Sequence, residues 1–226
     1  MCTPTPGQTP PAGVPVCPRA PLLILALLGA CGVLPPLSGG HGTPAPTPEV
    51  VKLHPWMADV RWPGAAPRPP PQEELLIAED IDLLLTGDFD VYPLAGRRLI
   101  ARGEDVLPYL GHAADRHPSP TARKERLTVA FGPVLRDTTE ARVLLALSSP
   151  YPAVRAAAAA AAGEREAVPL APRLIELLDD KDVRVRRAAI ASLRRITGEF
   201  IGYDPEGAPA ARAAGAEKWD QYWKNR

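Results

Sequence analysis

The chain has 226 residues with 26 basic and 26 acidic side chains, so no net field draws it to nucleic acid. Of its 29 prolines, 18 fall in residues 1–72, which marks the front third as extended chain and leaves the remainder to fold. The three cysteines, Cys2, Cys17 and Cys31, all lie in the first 31 residues, so the body of the protein has neither a disulfide nor a cysteine-ligated metal site.

From the front, Pro21-Leu-Leu-Ile-Leu-Ala-Leu-Leu-Gly-Ala-Cys31 reads as the apolar core of a signal peptide over residues 1–30. Leu22 to Leu34 is too short to span a bilayer, which needs about 20 residues. Leu28-Gly-Ala-Cys31 resembles the lipobox of bacterial lipoproteins. That resemblance implies cleavage before Cys31, lipidation of its thiol and a place in the cell envelope, on the outer membrane or the periplasmic face of the inner one. The alternatives are an ordinary secretory signal and an uncleaved anchor. Residues 1–20 carry one positive side chain, Arg19, and are long for such a leader; initiation near Val14 or Val16 would restore a usual length.

Residues 31–72 form a proline-rich tether, with Pro35-Pro36, Gly39-Gly40 and Pro69-Pro70-Pro71. One island, Val50 to Trp62, has too much large apolar surface for linker chemistry. It either docks on the first helices or serves as a partner-recognition motif. His54 has no second ligand at metal spacing.

From Glu73 the pattern becomes helical. Val91-Tyr92, Ala122-Arg123, Val154-Arg155 and Val185-Arg186 recur every thirty-odd residues, the period of a helical hairpin repeat. Apolar residues follow each anchor three or four apart, as in Leu94-Ala95…Leu99-Ile100 and Ala188-Ala-Ile190…Leu193. First helices precede them at 73–85, 104–114, 138–147 and 166–178. Asp88 and Asp182 suit N-caps, and Gly198 suits a helix C-terminus. Gly132-Pro133 interrupts the second repeat.

Leu174-Ile-Glu-Leu-Leu178, Asp182-Val-Arg-Val-Arg186 and Arg187-Ala-Ala-Ile-Ala-Ser-Leu193 resemble the HEAT-repeat family, most strongly over 166–198 and more weakly back to residue 73. The resemblance implies an all-α fold, a short right-handed α-solenoid of about four hairpins over 73–198, after a disordered N-terminal region. It also implies a ladder between repeats, made by a turn aspartate and a second-helix arginine. Asp182 and Arg186 match those positions. Arg155 matches the arginine, but its turn, Ser149-Pro-Tyr-Pro152, lacks the aspartate. The tail, residues 199–226, resembles the ending of bacterial HEAT-like proteins: a loop, then a capping helix with Trp219, Tyr222 and Trp223 on one face.

Catalytic motifs are absent: there is no Gly-rich phosphate loop, HExxH or CxxC, and His112 with Asp115 is the only adjacent acid–base pair. No metal, cofactor or small-molecule substrate is expected, nor nucleic acid. The expected role is a membrane-tethered scaffold that binds a protein partner, with Arg155, Arg184, Arg187 and Arg194 supplying charge and Tyr92 or Tyr151 an anchor. The alternatives are a structural envelope component without a discrete ligand and an accessory subunit of an envelope enzyme.

Overall fold

The computed structural model describes residues 54–61 and 68–226. The leader, Cys31, most of the tether and part of its apolar island lie outside the described residues. Every regular element among those described is helical, with no strand. No helix among them is long and apolar enough to cross a membrane.

Four hairpins follow one another. α1 (Pro71–Thr86) pairs with α2 (Tyr92–Ala101). A 3-10 turn (Gly103–Val106) opens α3 (Leu107–Arg116), which is followed by α4 (Thr121–Lys124), a second 3-10 turn and α5 (Thr128–Asp137). α6 (Glu140–Leu147) pairs with α7 (Pro152–Glu164). α8 (Ala171–Glu176), flanked by 3-10 turns, pairs with α9 (Val183–Thr197), and α10 (Pro209–Lys224) follows. The second helices pack in series, α2 on α5, α5 on α7 and α7 on α9. The first helices form the other layer, where α1 meets α3, α6 meets α8 and α10 closes on α8. This is the all-α stack of four hairpins and a cap that the repeat period implies.

Two local expectations need correcting. Pro133 does not break its helix, because α5 runs through it. Proline crowds the residue before it in the helical conformation, and that residue is Gly132, which has no Cβ and has nothing within 4 Å of where one would stand. The irregularity falls instead at the 3-10 turn Glu125–Leu127. Asp88 does not cap α2 through its side chain; its carbonyl accepts the Val91 and Tyr92 N–H groups at 3.0 and 3.1 Å. Asp182 is an N-cap, accepting the Arg184 N–H at 2.8 Å, and Gly198 closes α9 at φ +76°, a left-handed position that costs glycine no Cβ clash.

The core is thin-walled and close. Along α7, Ala158, Ala159, Ala161 and Ala162 are buried, and small side chains let α9 approach. At Gly163 a Cβ would stand 2.7 Å from Ser192 Cβ and 2.8 Å from its Cα. Ser192 Oγ donates to the Ala159 carbonyl at 2.7 Å, so the one buried hydroxyl on this seam is satisfied. Leu76, Leu94, Leu144 and Val168, apolar residues within the expected helices, are exposed.

The described part of the island is not free chain. Trp56, Met57 and Val60 are buried, and residues 54–61 lie as a strap on α3. Trp56 Nε1 donates to Asp82 of α1 at 3.1 Å, and His54 Nδ1 and His117 Nε2 each lie 2.5 Å from an Asp82 oxygen. Those residues are therefore part of the folded body rather than of a tether.

Candidate functional site

The turn between α8 and α9 carries a cluster of charged residues that meets the head of α7. Arg155 of α7 reaches forward to the next turn, donating from Nε and Nη2 to the two oxygens of Asp180 at 2.7 and 2.9 Å, and from Nη1 to the Ser149 carbonyl at 2.9 Å. Both side chains are largely buried, and the fork matches the carboxylate. The inter-repeat rung therefore uses Asp180 and not Asp182. The reason is local: Asp182 is the N-cap of α9, where its carboxylate is taken by the Arg184 N–H and guanidinium, while Asp180 sits two residues earlier and faces α7. Asp180 Oδ1 also accepts the Asp182 N–H at 2.8 Å, which fixes the turn. Arg186 carries the ladder one step on, but to carbonyls: Pro205, Asp180 and Lys181 at 2.7, 2.7 and 3.0 Å.

The other candidate residues disperse. Arg184 pairs with Asp182 at 2.7 Å, and this contact holds the Asp182 carboxyl below its usual range. Arg187 pairs with Glu206, and Arg194 lies over the Phe200 ring with a long contact to the Tyr203 carbonyl. Tyr92 is half-buried beneath the Arg126 guanidinium, 4.6 Å from its ring centre. Each arginine expected to offer free charge thus has an acceptor or a ring within the molecule. Tyr151 is the exception in kind, because it is buried at the head of α7 and lines a cleft.

That cleft, about 640 Å³, opens between the strap, the end of α3 and the head of α7. Its floor is Trp56, His112 and Tyr151, all buried. Tyr151 Oη accepts the Arg61 N–H at 2.6 Å and lies 3.2 Å from His112 Nδ1. With Tyr151 donating to Nδ1, the imidazole carries its hydrogen on Nε2, which is buried without a partner among the described residues. Trp56 stacks on the same imidazole, with ring centres 6.4 Å apart. The rim is exposed and mixed in sign: Asp59, Arg61, Asp115 and Arg116. Asp59 holds φ +65°, an uncommon conformation for a residue with a side chain, at the tip of the strap. Burial raises the Tyr151 pKa, so its phenol stays protonated and is no general base. Among the described residues no His, Cys, Asp and Glu cluster is placed to hold a metal.

The sequence points to the parts of this cleft separately: Tyr151 as an anchor, His112 with Asp115 as a pair, and the island around Trp56. Arg61 and Arg116 carry no such signal. Their meeting depends on how the strap folds back, and no spacing rule encodes that.

Residues 139–226 match the family model for HEAT repeats, covering the third and fourth hairpins and the cap. No curated protein and no solved structure matches the chain.

Proposed function

We propose that this chain is a non-catalytic, membrane-tethered scaffold that recognises a protein partner through the turn edge of its stack, centred on the cleft. The match over 139–226 supports the HEAT-repeat family, and HEAT repeats generally mediate protein–protein interaction. The observation that carries the reading to this edge is the cleft: a buried aromatic and imidazole floor inside a rim of unspent charge. Neither Arg61 nor Arg116 has a side-chain ion pair among the described residues. Mixed charge around a desolvated aromatic centre is the usual anatomy of a recognition patch, where the rim steers and the floor anchors. Arg155 supports this edge from behind, as a rung rather than a contact. Arg184, at the head of α9, extends the rim, and Arg187, Arg194 and Tyr92 are secondary to it.

Tethering rests on the Leu28-Gly-Ala-Cys31 motif. A lipid-bearing Cys31 would hold the stack at the envelope membrane, since each buried methylene contributes about 0.8 kcal/mol.

The test places a photo-cross-linker at Arg116 in the producing cells. A discrete adduct is expected, lost with Arg61→Glu and retained when the probe is accompanied by Arg195→Glu on the far helix. Adducts indifferent to Arg61→Glu would remove the cleft from the interface. The same cells fed an alkynyl fatty acid should label the chain, and Cys31→Ser should abolish the label.

A further inference from the structure

A segment can leave a folded body ahead of the rest when few ties hold it and its own backbone bonds stay within it. The strap, residues 54–61, meets that description. Its 3-10 turn (Pro55–Met57) closes on itself, with the Met57 N–H on the His54 carbonyl at 2.8 Å. Among the described residues its only backbone hydrogen bond to the stack is the Arg61 N–H on the Tyr151 hydroxyl. The other polar ties converge on one carboxylate, Asp82, which takes His54 on Oδ2 and Trp56 on Oδ1. His117 holds the same carboxylate from the stack side, and its Nδ1 accepts the Ser119 N–H at 3.1 Å. Burial of Trp56, Met57 and Val60 completes the attachment.

Where the strap sits gives these ties a mechanical order. The N-terminal chain enters the described body at His54, so a load on that chain meets the His54–Asp82 tie before any other. Behind the strap the chain rejoins the body at Arg68, which bonds Glu74 at 2.6 Å, and continues into α1. That helix is far better held: Ile77, Ile81, Leu84 and Leu85 are fully buried and α2 packs along it. The strap also builds the cleft. Pro55, Trp56, Ala58, Asp59 and Arg61 form one wall, and the end of α3 with the head of α7 forms the other.

We propose that the strap is a releasable wall: tension on the N-terminal chain withdraws it before α1 yields, and the cleft comes apart with it. This rests on the tethered, cleft-centred role above and adds its regulation. An occupant that touches both walls resists withdrawal of the strap. By reciprocity, a load that withdraws the strap lowers the affinity for that occupant. A slack tether keeps the cleft whole, and a taut one empties it without unfolding the stack.

Optical tweezers on the full chain, held by its two ends with no partner present, test this. The expected record has a short reversible step at lower force than the unfolding of the stack. It releases at most roughly 50 Å of chain, the extended length between His54 and Arg68. His54→Ala removes the first tie alone and should speed this step about threefold or more at a given force, leaving the main unfolding unchanged. Asp82→Asn leaves one acceptor oxygen where the donors now use two, and should speed it about tenfold or more. Response to these variants also tells the strap from a short step at α10. A strap that comes away only together with the stack overturns the inference, and so does the lack of a short step that answers to either variant. Neither lipid nor partner enters this readout. A missing step therefore leaves the role proposed above standing, and failure of the Cys31 label or of the Arg116 adduct leaves the step.

Discussion

Asp180 and Asp182 show how one turn divides two duties between like residues. Asp180 joins repeats, and removing it leaves the Arg155 guanidinium largely buried with only the Ser149 carbonyl. Asp180→Ala should therefore cost about 3 kcal/mol in urea unfolding. A double-mutant cycle with Arg155→Ala should recover most of that as coupling. Asp182 starts a helix, and Asp182→Ala should cost about 1 kcal/mol. Its folded pKa is depressed, first by the hydrogen bond from Arg184. The stability it contributes is complete above the unfolded carboxylate pKa of about 3.9 and is lost as pH falls through the lower folded value. An acid titration of stability should thus lose a step below about pH 4 in Asp182→Ala relative to the parent. The resemblance to HEAT repeats placed the ladder on Asp182, because a motif records residue type at a position. Which of two aspartates spaced by one residue faces the neighbouring repeat is decided by the backbone path of the turn.

At the scale of elements, hairpin order and helix type were legible because alanine and leucine recur at helical spacing against polar turns. The gaps in that reading have physical causes. Leu76 and Leu94 lie at helical apolar spacing yet are exposed, since among the described residues no hairpin precedes the first to cover them. The strap lies within a proline-rich stretch and stands out from it only by its apolar side chains, and burial of Trp56 becomes visible only once α1 and α3 exist to receive it. Gly163 illustrates the packing limit. Its replacement by alanine gains about 1 kcal/mol of helix propensity in isolation. In the stack the new methyl would meet the Ser192 backbone, which cannot swing aside as a side chain can. Gly163→Ala should therefore lower stability by about 1–3 kcal/mol, read as a lower urea midpoint at unchanged slope.

For the whole molecule, the layout separates duties by location. The turn edge carries the cleft, and α10 seals the C-terminal end. A linear stack of local hairpins would ordinarily assemble neighbour by neighbour, because each contact spans few residues. The Arg61 N–H to Tyr151 hydroxyl bond breaks that pattern, for its partners stand 90 positions apart along the chain. Closing so long a loop is entropically uphill until the third hairpin offers its tyrosine. The earliest part of the folded body to leave the ribosome can settle on α1 and α3 through Asp82, yet its seat is complete only once the third hairpin has formed, and Trp56 emission should trail the far-ultraviolet helix signal during refolding.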